Sequence, residues 1–147
     1  MQLRQGEVDR QGLIRRYDAR VPRYTSYPTA AQFTPAVDAA AYAGWLSQVD
    51  VARPISLYAH VPFCARLCWF CGCNTRVVHG RKPVTDYVGW LVKEAALIRR
   101  HLPDGVTADA VHLGGGTPNM LAPDDLAALF AMMRETFNLV PGAQIAA

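Results

Sequence analysis

What this sequence lacks narrows its function before any motif is considered. No apolar stretch approaches the roughly 20 residues that a membrane-spanning helix needs. Residues 1–16 are polar and charged, without the apolar core of a secretory signal, so the expectation is a cytoplasmic protein. Charge is sparse: charged residues make up 18% of the chain against 51% apolar ones, a balance that favours a packed core over disorder. The 15 basic and 12 acidic residues leave a net charge of only +3. Arginines pair at Arg15–Arg16 and Arg99–Arg100, but no long basic run predicts a nucleic-acid partner. There is no GxGxxG fingerprint and no Walker A loop, so nucleotide phosphate binding is not indicated. Internal repeats are absent, and the one biased tract is a small alanine-rich patch at 39–43.

Cysteine is also scarce, and its distribution is informative. All four fall between positions 64 and 73. A disulfide framework would spread them along the chain to close long loops. Confined to one short run, they read as metal ligands.

The 147 residues set a prior of one domain with two parts, residues 1–53 and 54–147. The first is a mostly irregular and helical arm. It contains Pro22-Arg23-Tyr24-Thr25-Ser26-Tyr27-Pro28-Thr29, whose prolines exclude a regular helix. Asp38 is a good N-cap for a helix over 39–49, with Tyr42, Trp45, Leu46 and Val49 on one face. From Pro54 onward the rhythm becomes βαβ. A strand is predicted over 55–61 and a loop holding the cysteines over 62–83. A helix follows over 84–101, with Val88, Leu91, Ala95, Ile98 and Leu102 as its buried stripe. The next strand is predicted over 110–113, followed by Gly114-Gly115-Gly116-Thr117-Pro118. Pro123, Asp124 and Asp125 start another helix, with Leu126, Leu129, Phe130, Met133 and Phe137 as its stripe, and residues 143–147 open a third strand. The aromatic residues of the stripes at 87–98 and 126–137 are predicted to be core.

Alternating strands and helices imply a parallel sheet, whose ligands gather at the carboxyl ends of the strands. The cysteine loop leaves the first strand there and the glycine loop leaves the second. If the strands are neighbours, about 5 Å apart, the two loops share one ligand site. A full eight-unit barrel takes about 250 residues. Two units and the start of a third cannot close one, and Gln144-Ile145-Ala146-Ala147 carries no helix stop or polar tail. The expectation is a truncated chain whose open sheet is inactive by itself.

The cysteine run, Cys64-Ala65-Arg66-Leu67-Cys68-Trp69-Phe70-Cys71-Gly72-Cys73, has the spacing C-x3-C-x2-C-x-C. It offers no second cysteine pair for structural zinc and does not match bacterial ferredoxin spacing. Three close thiolates can hold three irons of a [4Fe–4S] cube and leave the fourth open to a ligand. The other readings are a zinc knuckle or buried thiols. Cys73 could equally be a fourth ligand. The glycines could form only a tight turn, Phe70 could merely shield a cluster, and Tyr58 could be core. His60 and His112 lie near strand ends and either support a ligand-holding residue or are structural histidines, while His79 and His101 read as loop and helix-end residues.

C-x3-C-x2-C after a strand, followed by GGGTP, resembles the radical S-adenosylmethionine (SAM) enzymes. Tyr58-Ala59-His60-Val61-Pro62-Phe63-Cys64, the extra Cys73 and the PRYTSYPT arm narrow the resemblance to the oxygen-independent coproporphyrinogen III oxidases, over the N-terminal third of that family. The resemblance implies an α/β fold, the N-terminal part of a radical-SAM (β/α) partial barrel. It implies a [4Fe–4S] cluster on Cys64, Cys68 and Cys71 that cleaves SAM to a 5′-deoxyadenosyl radical. Tyr58 and Gly115 would contact the cluster-bound SAM. Phe70, Gly116 and Thr117 would contact a second SAM, and Cys73 would assist proton or hydrogen transfer. The family's next acidic SAM contact should follow Ile145, where this chain reads Ala146-Ala147. The implied substrate is coproporphyrinogen III, decarboxylated to protoporphyrinogen IX by a full-length monomer with an unidentified electron donor. Arg23, Tyr24 and Tyr27 would pack the barrel or touch the porphyrinogen. The alternative is a haem-binding or haem-delivery protein on the same fold.

Overall fold

A computed structural model describes residues 9–18 and 29–147, which fall in two compact units, Met1–Phe33 and Thr34–Ala147. In the first unit, helix α1 (Arg10–Tyr17) starts where the Asp9 carboxylate accepts the amide of Gly12 at 2.9 Å. A single 3-10 turn covers Ala30–Gln32. Arg23, Tyr24 and Tyr27 of the PRYTSYPT segment lie outside the described residues.

In the second unit, Asp38 caps α2 (Ala39–Leu46) as expected, accepting the Ala41 amide at 2.8 Å. The helix ends before Val49; Leu46 and Val49 pack against the core, whereas Tyr42 and Trp45 are exposed. Strand β1 (Ile55–Val61) leads into a region expected to be all loop. It holds two short strands, β2 (Phe63–Cys64) and β3 (Arg76–Val77), which pair in parallel. Helix α3 (Lys82–Arg99), strand β4 (Ala108–Gly115), helix α4 (Pro123–Phe137) and strand β5 (Leu139–Ala146) complete the unit.

The main sheet has the order β1–β4–β5 with both pairings parallel, as the βαβ rhythm requires. β4 runs two residues past the predicted strand, because Gly114 and Gly115 keep the backbone ladder opposite His60 and Val61. β5 begins earlier than expected. Its register against β4 slips between Ala108 and Ala110, opposite the segment with Pro141, which has no N–H to donate, and the left-handed Gly142.

Alternation along β1 decides what the sheet presents. Leu57, Ala59 and Val61 turn to the core while Ser56 and Tyr58 do not. Val111 and Leu113 of β4 join the core, with Val84, Val88 and Ala95 from α3 and Leu129, Met132, Met133 and Phe137 from α4. Trp90, expected in the core with the aromatic stripe, is 61% exposed: it lies on the outer side of α3, where Lys93 stacks over its ring. At the start of α4, the Asp125 carboxylate, only 5% exposed, accepts the Ala122 amide at 3.1 Å and faces Arg81 at 3.9 Å. The opposite end closes on left-handed Asn138, whose side-chain amide donates to the Val106 carbonyl at 2.8 Å.

Candidate functional site

The carboxyl ends of β1 and β4 lie side by side, with Val61 paired to Gly115. Beyond that pair the two loops are bonded to each other. The Gly116 amide donates to the Val61 carbonyl at 2.7 Å and the Thr117 amide to the Phe63 carbonyl at 2.8 Å. The Thr117 hydroxyl donates to the Cys64 thiol at 3.5 Å. The glycine loop is therefore attached to the first residue of the cysteine run.

Each glycine lies hard against a neighbouring residue of β1 or of the cysteine run. A Cβ on Gly114 would come within 2.8 Å of the Tyr58 ring, and one on Gly115 within 2.9 Å of the His60 ring. On Gly116 it would sit 2.5 Å from the Phe63 carbonyl oxygen and 2.9 Å from the Cys64 sulfur. Gly115 also has φ +103°, a conformation closed to ordinary side chains.

The cysteine loop is held at its ends. The Arg76 amide donates to the Pro62 carbonyl and the Val78 amide to the Cys64 carbonyl, at 2.7 and 3.1 Å. Between these ties the Cys71 amide reaches the Cys68 carbonyl at 3.1 Å, and the Cys71 sulfur lies 3.9 Å from the Thr75 hydroxyl. Of the four cysteines, Cys64 is buried, Cys71 half-buried, and Cys68 and Cys73 exposed. The neighbouring thiols, Cys71 first, together with desolvation, push the Cys73 thiol above its ordinary pKa; Cys64 and Cys68 add to the effect. Among the described residues, no three His, Cys, Asp or Glu side chains converge tightly enough for a single metal ion. Cys64, Cys68 and Cys71 are nonetheless each close enough to Cys73 to act on its thiol, and such soft donors suit iron–sulfur ligation. Leu67, Trp69 and Phe70 project from the same loop, Trp69 fully exposed and Phe70 75% exposed.

Tyr58 stands in the middle of β1 and is 60% exposed. Its ring stacks on His112 of β4, with centroids 6.0 Å apart and planes at 24°. Its hydroxyl meets His60 Nδ1 at 3.0 Å, and His60 Nε2 meets the Asn74 carbonyl at 2.9 Å. Tyr87 of α3 donates to the His60 carbonyl at 2.9 Å; burial first, then Glu94 and Tyr58, raises the pKa of this phenol. A cavity of about 380 Å³ lies beside β1, bordered by Tyr42, Tyr58, His60, Tyr87, Glu94 and Met132.

The expected residues thus divide. Cys64, Gly115, Gly116 and Thr117 form one bonded cluster, with Tyr58, opposite His112, three residue pairs back along the sheet from Val61 and Gly115. Cys68, Phe70 and Cys73 lie on the exposed loop. The sequence marked His60 only as a strand-end histidine. Its partner Asn74 engages through a backbone carbonyl, a group without a sequence signal.

No protein-family model matches the chain. An oxygen-independent coproporphyrinogen III oxidase of Bradyrhizobium diazoefficiens is 44% identical over 129 residues, 88% of this chain and 29% of the relative. An anaerobic coproporphyrinogen III oxidase of Cereibacter sphaeroides is 54% identical over 108 residues, 74% of this chain and 24% of the relative. The solved coproporphyrinogen III oxidase of Escherichia coli, described as a radical SAM enzyme, superposes with a TM-score of 0.75 at 34% identity, over 92% of this chain and 29% of that one. The chain belongs with the oxygen-independent coproporphyrinogen III oxidases, matching in each a portion that amounts to less than a third of its length.

Proposed function

We propose that this chain supplies the cluster-binding and SAM-binding portion of an enzyme that converts coproporphyrinogen III to protoporphyrinogen IX without oxygen, in haem biosynthesis. The observation that supports this most is the bonded seam, in which Thr117 donates to the Cys64 thiol and Gly116 leaves no room for a side chain beside it. Cys64, Cys68 and Cys71 fit a [4Fe–4S] cluster by donor type and spacing. When bound, the cluster supplies the electron for reductive cleavage of SAM. Tyr58 and Gly115 hold the first SAM, while Phe70, Gly116 and Thr117 hold a second. Cys73 moves a proton or hydrogen near the substrate. Each propionate that reacts loses a hydrogen atom, carbon dioxide and one further electron to become a vinyl group. External one-electron carriers supply the reductant and take up that electron. The full-length protein acts as a cytoplasmic monomer.

The test is anaerobic reconstitution with iron and sulfide, read by visible absorption and by the EPR signal of the reduced cluster. Replacing Cys64, Cys68 or Cys71 by Ser is expected to abolish the cluster. Cys73→Ser should retain it, and added SAM should perturb the EPR signal. A chain that takes up no cluster, or that loses it with Cys73→Ser alone, overturns the assignment. Haem binding without any response to SAM points instead to a haem-delivery protein.

A further inference from the structure

The bridge at His60 has a polarity that the hydrogen-bond chemistry determines. A backbone carbonyl can only accept, so Nε2, 2.9 Å from the Asn74 oxygen, must carry the proton. In the neutral ring Nδ1 is then bare, and a bare nitrogen can only accept. The Tyr58 hydroxyl, 3.0 Å away, must therefore donate to it. The Tyr58 proton is thereby committed to His60, and what Tyr58 turns to the open face is its oxygen lone pairs.

We propose that His60 is a positioning residue with two linked tasks. It sets Tyr58 as an acceptor, and it ties the far end of the cysteine loop to β1. The inference rests on the SAM reading of the site only for the ligand. There, an acceptor selects an ammonium or other cationic or N–H-bearing part of an amino-acid-like ligand over its carboxylate. Several features of the fold hold the bridge in place. The Tyr87 hydroxyl holds the His60 carbonyl at 2.9 Å. The bare backbone of Gly115 lies where any Cβ would strike the His60 ring, and that of Gly114 lies likewise under Tyr58. His112 of β4 stacks against the Tyr58 ring. On this account two glycines of the motif are required by the Tyr58–His60 pair as much as by any ligand.

The imidazole can be taken apart by substitution. An asparagine side chain ends near the Nδ1 position, so His60→Asn keeps an acceptor for Tyr58 and loses the tie to Asn74. A glutamine ends near the Nε2 position, so His60→Gln keeps a donor for Asn74 and loses the hold on Tyr58.

Two measurements on the metal-free chain test this without calling on enzyme activity. The first is the ¹⁵N spectrum of the His60 ring at mildly alkaline pH, where histidine is ordinarily neutral. A protonated Nε2 and a bare Nδ1 are expected; the opposite tautomer, or fast exchange between the two, overturns the proposal. The second is hydrogen exchange of the Arg76 and Val78 amides, which close the loop. About a tenfold loss of protection is expected in His60→Ala and His60→Asn, the scale of one hydrogen bond, and near wild-type protection in His60→Gln. Equal loss in all three variants, or in none, overturns the tie. For the ligand, cluster-loaded His60→Asn should keep the SAM-induced EPR change and His60→Gln should weaken it; the reverse order overturns the acceptor role. A wild-type chain that binds no cluster sinks the SAM reading and leaves the two metal-free results standing or falling by themselves.

Discussion

Gly116→Ala isolates the seam between the two loops. The added Cβ would lie 2.5 Å from the Phe63 carbonyl oxygen, 3.0 Å from the Phe63 carbonyl carbon and 2.9 Å from the Cys64 sulfur. Two of these are backbone atoms and cannot swing aside. Forcing a methyl group into such a site costs about 1–3 kcal/mol when the surroundings stay in place. If the glycine loop withdraws instead, the bonds from Gly116 to Val61 and from Thr117 to Phe63 are lost, at about 1 kcal/mol each. Either route falls within about 1–3 kcal/mol, a fall in melting temperature on the order of 10 °C for a unit of this size. Gly114→Ala meets the end of the Tyr58 side chain, which can rotate, so its stability cost should be smaller. Gly89→Ala, in α3 with open space around it, should raise stability by about 0.5–1 kcal/mol and serves as the control. Thermal unfolding of the metal-free chain measures all three, and anaerobic reconstitution then measures iron uptake. A Gly116→Ala chain that melts with the wild type and takes up a full cluster refutes the claim that the seam organises the site.

Three other perturbations probe the support of the site. Leu129 is fully buried among the core residues of α3, α4 and the sheet, so Leu129→Ala should cost about 3–4 kcal/mol in denaturant unfolding, and a loss under 1 kcal/mol would contradict the packing described. Asp125→Ala removes the acceptor for the Ala122 amide and the partner of Arg81; about 1–2 kcal/mol should be lost, and Asp125→Asn should recover part of it. Tyr87 has a raised pKa, so its contribution is complete below the unfolded value near 10 and is lost as pH climbs through the higher folded value. Stability measured at rising alkaline pH should therefore fall less steeply in Tyr87→Phe than in the wild type, and an unchanged slope would refute the assignment.

The parts of the fold legible in the sequence are those where burial imposes a period. Val88, Ala95 and Leu102 follow the helical spacing and are buried, as are Leu129, Met133 and Phe137. Where backbone alone decides, the reading fell short. Gly114 and Gly115 look like a loop by composition, yet they extend β4 because pairing needs only N–H and C=O groups. β2 and β3 are two residues each, too short for any alternation to show. Trp90 matched a core stripe by residue type but faces outward over a cation. Within the site, thiol spacing and the glycine run were visible because they are side-chain identities, or the lack of one. The Tyr58–His60–Asn74 bridge was not, because it ends on a carbonyl and depends on the register of β1 against β4.

The same contrast separates what is built from what awaits a ligand. Cys64 is buried, belongs to a paired strand and accepts a hydrogen bond from Thr117, so its position follows from the sheet. Cys68 lies on the exposed loop, and Cys71 is held there by short-range contacts with Cys68 and Thr75. A cluster bridging the three thiols would connect the rigid seam to the loop, so part of its binding energy would go into ordering residues between 65 and 75. The ties at Pro62–Arg76 and Cys64–Val78 reduce that cost, because they hold both ends of the loop together before any metal arrives. The hold of His60 on Asn74 acts in the same direction from the face where Tyr58 stands, so one imidazole ring bridges the Tyr58 hydroxyl and the end of the loop.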